Sequence, residues 1–366
     1  MLFLRLDGRT NKEFASMRTW LPRALLCTSH GQASIISTEE ETMIELSHIS
    51  KTFRVARRNA GLSEAFRALF HKEYTLVHAL ADVSFRIGAG EMVGYIGPNG
   101  AGKSSTIKVM SGVLTPDGGS CTINGRTPWK ERKAHVKEIG VVFGQRSQLW
   151  WDVPVIDSFE LLRDIYAVED ASYRRNLEEM TELLNLSELL RTPARQLSLG
   201  QRMRCELAAS LLHDPKILFL DEPTIGLDAA SKVAVREFIR RINAERKTTV
   251  ILTTHDMQDI EAIAERILLI GRGRILLNGS LGELQKRHSR VKRIAVDYAG
   301  GRFQPCEGLT LQSGDEGHAV FAADTGVISV SEAIAHLAKS ANITDLSVTG
   351  ATAEELVLSL YEEFQI

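Results

Sequence analysis

Residues 97–104, GPNGAGKS, match the pattern GxxxxGK[ST]. They follow the apolar run MVGYI, which predicts a strand, and they begin a stretch that predicts a helix ending near Gly112. Glycines allow backbone N–H groups to surround phosphate oxygens, and a helix N-terminus adds positive potential. Lys103 could reach the terminal phosphates, and Ser104 could be a ligand of Mg²⁺. The stretch therefore predicts a nucleotide phosphate loop, with contacts from Gly97, Pro98, Asn99, Gly100, Ala101, Gly102, Lys103, Ser104 and Ser105.

Two carboxylates end the apolar run KILFL, which predicts another strand. Asp221 at the end of that strand suits Mg²⁺, and Glu222 is then placed to orient or deprotonate a water that attacks the terminal phosphate. Taken alone, two acids after a strand are equally well explained as surface residues. Beside a phosphate loop, they indicate nucleotide hydrolysis.

Three further residues are ambiguous by themselves. His255 ends the strand pattern TTVILTT, Gln145 follows IGVVFG, and Tyr74 precedes the phosphate loop by 23 residues. A lone histidine at a strand end is more often a structural residue, and the tyrosine is equally a core aromatic. The stretch QLSLGQRMR raises a similar question, because Ser198 and Gln201 have the spacing of a helix capping box. A capped helix directs free N–H groups and a positive dipole end at an anion, so this stretch predicts a contact with an anion.

The composition is that of a globular protein. Of the 366 residues, 44% are apolar and 25% are charged, and the net charge of −2 gives no basis for a nucleic-acid partner. The scattered cysteines contain no CxxC pair, which argues against a zinc site or a disulfide framework and favours a reducing compartment. No apolar run of about 18 residues predicts a membrane span, and the first residues do not resemble a signal peptide.

The sequence patterns divide the chain into three parts. Residues 1–42 show no periodicity, so we expect a poorly ordered extension, with Met43 as an alternative start. Residues 43–285 alternate strand and helix patterns, which predicts an α/β domain with a helical subdomain at about 147–212. Residues 286–366 predict a small α+β accessory domain, whose helices would include SVSEAIAHLAKSA and TAEELVLSLYEEF.

An amphipathic helix is predicted after the first strand, at about 62–71. Leu62, Phe66, Leu69 and Phe70 share one helical face there. That face would pack on its own domain or dock against a membrane partner.

The motifs occur in the order typical of the ATP-binding cassette (ABC) ATPases, which the chain resembles over residues 43–285. That family has a phosphate loop, a glutamine loop, an LSGGQ signature, a strand ending in Asp-Glu, a D-loop and a switch histidine. At these places the chain has GPNGAGKS, Gln145, LSLGQ, LFLDEP, IGLD with Asp228, and His255. The resemblance implies an α/β P-loop NTPase fold with a mixed sheet core, an antiparallel β subdomain and a helical subdomain, followed by the small C-terminal α+β domain.

The resemblance also implies roles, with ATP and Mg²⁺ as cofactors. Tyr74 would stack on adenine, and Gln145 would sense Mg²⁺ and couple to the membrane partner. Ser104, Gln145 and Asp221 would hold the Mg²⁺. Glu222 would be the general base, and His255 would contact the γ-phosphate.

The signature would act on a second subunit. Ser198, Leu199, Gly200 and Gln201 would contact ATP held by the other copy, and Asp228 would cross the interface. Leu199 replaces the usual glycine, and its Cβ excludes most positive-φ conformations, so the geometry of this loop is open.

The resemblance is greatest to the ATPase subunits of ABC-2-type exporters. We therefore expect a homodimer bound to separate transmembrane permease subunits, at the cytoplasmic face of the inner (plasma) membrane, with no nucleic acid. Trp150 and Trp151 lie where the family meets its permease, so they would line a docking groove or belong to the core. The rival interpretations are a soluble ABC ATPase that acts on ribosomes or DNA, and a catalytically silent regulatory cassette. Lys103 and Glu222 argue against the latter.

Overall fold

The computed structural model describes residues 42–56, 74–144, 146–288, 291–350 and 353–365. The predicted extension at 1–42, apart from Thr42, lies outside the described residues. So do Gln145 and the predicted helix at 62–71. None of the helices in the described part of the chain is long and apolar enough to cross a membrane.

The described strands form two sheets. The larger, nine-stranded sheet contains β1 (Thr42–Ala56), β2 (Tyr74–Gly88), β3 (Met92–Ile96), β4 (Gly118–Ile123), β5 (Ile139–Phe143), β6 (Ile217–Asp221), β7 (Thr249–Thr253), β8 (Arg266–Gly271) and β9 (Arg274–Ser280). The smaller, four-stranded sheet contains β10 (Val291–Gly301), β11 (Leu309–Asp315), β12 (His318–Asp324) and β13 (Ala341–Thr349).

The helices alternate with these strands along the chain. In the described residues they are α1 (Lys103–Met110), α2 (Arg132–Val136), α3 (Val155–Tyr166), α4 (Asp170–Leu183), α5 (Leu199–Leu211), α6 (Ala229–Arg246), α7 (Met257–Ile263), α8 (Leu281–His288), α9 (Val330–Ser340) and α10 (Ala353–Glu363). A short 3₁₀ helix, Ala194–Gln196, precedes α5. Helices α3, α4 and α5 fall within the stretch that the sequence predicts to be a helical subdomain.

The larger sheet is mixed, with the order β4-β1-β2-β9-β8-β3-β7-β6-β5. Strands β5, β6, β7, β3 and β8 are parallel neighbours, whereas β1 pairs antiparallel with both β2 and β4. In the parallel part, Asp221 pairs with Phe143 on one side and with Thr253 on the other. The carboxyl ends of these strands therefore meet at one edge of the sheet, where loops of an α/β fold bind ligands.

Two apolar layers cover the two faces of this sheet. Along β6, Ile217 and Phe219 face a cluster that includes α1, while Leu218 and Leu220 face the cluster formed by α3 to α7. All four side chains are fully buried, and such burial contributes about 1.5–3 kcal/mol per large apolar side chain. The sheet is therefore a rigid support for the loops at its edge.

The small sheet has its own core. Ile294, Val296 and Phe321 pack against Ala333 and Leu337 of α9, whose start is capped by Ser329 and Glu332 in a capping box. This is the α+β unit that the sequence predicts.

The last helix departs from the predicted accessory domain. Val357 and Leu360 of α10 are buried in the same cluster as Ile260 of α7 and Leu284 of α8. The apolar stripe of α10 is a local property, whereas the groove that receives it is formed by two distant helices. The sequence pattern assigns α10 to the C-terminal domain, whereas its buried residues pack against α7 and α8.

Candidate functional site

The predicted phosphate loop connects β3 to α1, and its shape requires glycine at two positions. A Cβ on Gly97 would lie 2.2 Å from the carbonyl oxygen of Ile270, and Gly102, the N-cap of α1, has φ of +116°. Gly102 also has no room for a side chain, because a Cβ there would lie 2.7 Å from the oxygen of Ala79. No side chain caps α1, so its first N–H groups are left for a ligand.

Lys103 lies inside this loop rather than extending into solvent. It is 6% exposed, and its Nζ donates to the carbonyl oxygens of Gly97 at 2.6 Å and Pro98 at 3.2 Å. Burial lowers the pKa of Lys103, and the nearby carboxylates of Glu222 and Asp221 partly oppose that shift. An anionic ligand would favour the charged ammonium in the same way, so the residue is suited to bind phosphate.

Asp221 and Ser104 meet at the mouth of the loop. Ser104 Oγ donates to Asp221 Oδ1 at 3.3 Å, and Thr253 Oγ1 donates to the same oxygen at 2.6 Å. A hydroxyl and a carboxylate at the foot of a phosphate loop are the hard oxygen ligands that Mg²⁺ prefers. The donor set therefore fits the predicted metal.

Glu222 is turned into the cleft by an unusual backbone. Its φ is +57°, a left-handed conformation that is costly for residues other than glycine. Its N–H donates to the Thr253 carbonyl at 2.9 Å, and its carbonyl is so close to Gly144 that a Cβ there would be 2.3 Å away. Such strain is frequent at functional sites, and the sequence motif alone did not reveal it.

His255 lies beside Glu222. Its Nδ1 is 3.6 Å from Glu222 Oε2, and its side chain is 61% exposed. An imidazole this exposed is not a structural residue of the core. The structure thus brings together the two side chains that the sequence could only assign separately.

The position of Tyr74 does not support the prediction that its ring stacks on adenine. The cleft, of about 310 Å³, is lined by Phe53, Val77, Ala79, Pro98, Asn99, Gly100, Gly102, Lys103, Ser104, Ser105 and Glu222. Tyr74 is outside this lining, pairs with Ala56 at the far end of the β1–β2 ladder, and is 54% exposed. Phe53 is the aromatic that borders the phosphate loop, and sequence analysis missed it. Its signal was the aromatic in the strand pattern SKTFRV, but only the pairing of β1 with β2 directs it to the cleft.

The signature stretch forms the predicted capping box. Gln201 N–H donates to Ser198 Oγ at 3.2 Å, and Ser198 N–H donates to the side chain of Gln201 at 2.8 Å. Leu199 is the first residue of α5 and has no positive φ, so its Cβ is compatible with the loop. A Cβ on Gly200, by contrast, would lie 2.5 Å from Ser231 Oγ.

The D-loop residue lies next to the signature of the same chain. Asp228 is the N-cap of α6, with Oδ1 accepting from Ser231 N–H and Oδ2 from Ser231 Oγ, both at 2.9 Å. These bonds lower the pKa of Asp228. None of the signature residues, nor Asp228, lines the cleft described above. Apart from Tyr74 and the undescribed Gln145, the predicted residues therefore form two groups, one at or beside the cleft and one at the start of α5 and α6.

The tryptophan pair is at the surface. Trp150 is 59% exposed and Trp151 is 52% exposed, so the alternative that both lie in the core is wrong. The backbone around them is nevertheless held in place, since Trp150 N–H donates to the Ser158 hydroxyl at 3.1 Å. The Arg202 guanidinium lies 5.7 Å from the ring centre of Trp151, within the range of a cation–π contact.

A buried carboxylate anchors the segment before these tryptophans. Glu206 of α5 is 4% exposed and accepts hydrogen bonds from Ser147 Oγ and, at 3.1 Å, from Gln148 N–H. Burial raises the pKa of Glu206. The helix that begins at the signature is thus bonded directly to the segment that carries the exposed aromatic pair.

Comparison with known proteins agrees with this geometry. The sequence pattern of the family "ABC transporter" matches residues 80–225. The ABC transporter ATP-binding protein NatA of Bacillus subtilis is 29% identical over 215 residues, which are 59% of this chain and 87% of NatA. The daunorubicin resistance ATP-binding protein DrrA3 of Streptomyces coeruleorubidus is 34% identical over 58% of this chain and 67% of the relative. The linearmycin resistance ATP-binding protein LnrL of B. subtilis is 31% identical over 59% of this chain and 69% of the relative.

Longer relatives are matched only in part. The chain covers 26% of the length of ABC transporter A family member 1 of Dictyostelium discoideum, at 29% identity. Among solved structures, a dimeric ATP-binding cassette in a post-hydrolysis state with ADP and Pi has a TM-score of 0.55 and 26% identity, over 65% of this chain and 99% of that one. The fold, the phosphate loop and these relatives together establish that the chain belongs to the ATP-binding proteins of ABC transporters and is an ATPase.

Proposed function

We propose that two copies of the chain hydrolyse ATP at composite sites between them. The observation that carries this proposal is the separation of the two phosphate-binding elements within one chain. The cleft is lined from β1, β2, the phosphate loop and Glu222, whereas Ser198 begins a helix beside Asp228. The similarity to a cassette solved as a dimer supports an arrangement in which each signature serves the other copy's nucleotide.

Each residue of the cleft has a distinct task in this proposal. The phosphate loop and Lys103 bind the β- and γ-phosphates, and Ser104 and Asp221 hold Mg²⁺, which supplies positive charge against the phosphates. Glu222 accepts a proton from the attacking water. His255, whose Nδ1 lies 3.6 Å from Glu222 Oε2, would contact the γ-phosphate. The N-terminus of the opposing α5 directs its dipole at the same phosphate.

Substitution of Glu222 and Ser198 tests the composite site. Glu222→Gln should preserve ATP binding and slow hydrolysis about 10²–10⁴-fold, the usual contribution of a general base. In that background, ATP-bound dimers should accumulate in size-exclusion chromatography. Adding Ser198→Arg should abolish the dimer but leave the monomer's own ATP affinity near normal, because Ser198 does not line its own cleft.

The matched control is Ser198→Thr, which keeps a capping hydroxyl worth about 1 kcal/mol and should still dimerise. If Ser198→Arg destroys the monomer's own affinity while its melting temperature is unchanged, the signature acts within its own chain. The two-copy proposal would then be wrong.

We infer that the surface around Trp150 and Trp151 binds a membrane permease. The two adjacent tryptophans are half-exposed, and a backbone hydrogen bond to Ser158 holds Trp150 in place. They form an apolar patch that a partner would cover. The names of DrrA3 and LnrL support an ABC-2-type exporter, and their relationship favours transport over action on ribosomes or DNA. The chain would then be held at the cytoplasmic face of the membrane through its permease.

Co-purification from detergent-solubilised membranes tests this surface. A tagged Trp150→Ala, Trp151→Ala double variant should lose a membrane protein that the wild type retains, while its ATP affinity is unchanged. Leu311→Ala is the matched control, because Leu311 is an exposed apolar residue of the small sheet, at 55%. Equal recovery of the membrane protein with wild type and double variant would refute the assignment.

We also propose a domain division that follows the packing. The cassette consists of residues 43–285 together with α10, and the accessory unit consists of β10 to β13 with α9. The buried contacts of Val357 and Leu360 support this assignment of α10.

A further inference from the structure

We propose that Asp259 is a positioning residue for ATP hydrolysis, which fixes the segment after Glu222 against the segment before His255. This inference rests on the proposed roles of those two side chains. Asp259 belongs to α7 and lies outside the cleft lining, so it would act through other residues and would not touch the nucleotide.

The two segments are joined by a single carboxylate oxygen. Asp259 Oδ2 accepts a hydrogen bond from Thr224 Oγ1 and another, at 3.0 Å, from Thr254 Oγ1. Thr224 follows Glu222 by two residues, and Thr254 immediately precedes His255. Both threonines are 2% exposed and Asp259 is fully buried, so water does not compete for these bonds.

The second oxygen is bonded to α6. Arg236 Nε donates to Asp259 Oδ1 at 2.6 Å, and Arg236 Nη2 forms an ion pair with the same oxygen, also at 2.6 Å. Arg236 also lies 3.6 Å from Asp256, which in turn pairs with Lys232 at 2.5 Å. A buried carboxylate is costly unless its charge is balanced and its oxygens are bonded, and both conditions are met here.

The connection has a direct consequence for the reacting groups. Glu222 and His255 follow different strands, β6 and β7, and their side chains are 3.6 Å apart in this arrangement. Because α6 begins at Asp228, the same carboxylate also links them to the D-loop. A displacement of about 1 Å can cost a catalytic group on the order of 10²-fold in rate. Lys103 and the phosphate loop make no part of this network, so nucleotide binding should be spared.

Asp259→Asn is the first test, since asparagine has the same shape but only one acceptor oxygen and an added donor. We expect kcat for ATP to fall about 10- to 100-fold, with nucleotide affinity within about twofold of the wild type. Glu138→Gln is the matched control. It removes a carboxylate that is paired with Arg126 and lies outside the cleft lining, and it should leave kcat unchanged. An equal loss of affinity and kcat in Asp259→Asn would overturn the proposal.

Substitution of Thr254 separates hydrogen bonding from packing. Thr254→Ser keeps the hydroxyl and should keep most of kcat, whereas Thr254→Val keeps the volume and should lose it. Equal kcat values for these two variants would show that the bond to Asp259 does not position the site.

A double-mutant cycle distinguishes this inference from the proposed general base. In the Glu222→Gln background, Asp259→Asn should reduce the residual hydrolysis little further, because the group that it positions is already removed. Additive losses would overturn the positioning role. If Glu222→Gln alone leaves hydrolysis intact, it is the general-base assignment that fails.

Discussion

Replacement of Phe53 by alanine tests which aromatic side chain binds the base of ATP. Phe53 borders the cleft and is 37% exposed, whereas Tyr74 is 54% exposed and lies outside the lining. Stacking of a base on an aromatic ring contributes about 1–3 kcal/mol. Since about 1.4 kcal/mol corresponds to a tenfold change in Kd, Phe53→Ala should weaken ATP binding about 5- to 150-fold.

The assay is an equilibrium titration with ribose-labelled fluorescent ATP. Tyr74→Ala is the matched control and should bind like the wild type. Phe53→Trp should also bind well, because it keeps a ring face. The loss in Phe53→Ala should be similar for GTP, since every base offers a π-face. If Tyr74→Ala weakens binding more than Phe53→Ala, while both melt like the wild type, the assignment of Phe53 is refuted and that of Tyr74 is restored.

Three further outcomes are expected. Lys103→Ala should nearly abolish ATP binding, because it removes charge-assisted hydrogen bonds of about 1.5–3 kcal/mol each, and near-normal affinity in the same titration would contradict this. Glu206 has a raised pKa in the folded state, so protonation favours folding. The melting temperature of the wild type should therefore rise relative to that of Glu206→Gln as the pH falls from about 7.5 to about 5. If the difference between the two melting temperatures does not change with pH, the raised pKa is excluded. Leu199→Gly should lower stability by up to about 1 kcal/mol, because it weakens the first turn of α5 and the packing near Gly226, without changing ATP affinity. Denaturant unfolding would measure it, and a stabilised variant would show that leucine is strained there.

The phosphate loop and the capping box could be predicted from the sequence because each depends on residues only a few positions apart. The phosphate loop needs glycines, a lysine and a hydroxyl within eight residues, and the structure places Lys103 and Ser104 where that spacing predicts. The capping box of Ser198 and Gln201 is equally local, since one helical turn brings the two side chains together. Their order along the chain then identified the family.

Features that depend on contacts between distant segments required the tertiary structure. The pairing of β1 with β2 brings Phe53, and not Tyr74, to the cleft, although both are aromatic residues of strands. The apolar stripe of α10 is visible in the sequence, but only packing decides that it covers α7 and α8.

The proposed catalytic pair, Glu222 and His255, illustrates the same division between local and distant information. The sequence by itself predicted that Glu222 and His255 lie where two strands end, because apolar runs ending in polar residues predict strands and their ends; the strands end at Asp221 and Thr253, just before them. Their separation of 3.6 Å, the positive φ of Glu222 and the link through Asp259 depend on strand order, parallel register and burial. Such contacts join residues more than 30 positions apart, and no local pattern specifies which side chains a folded core will bring together.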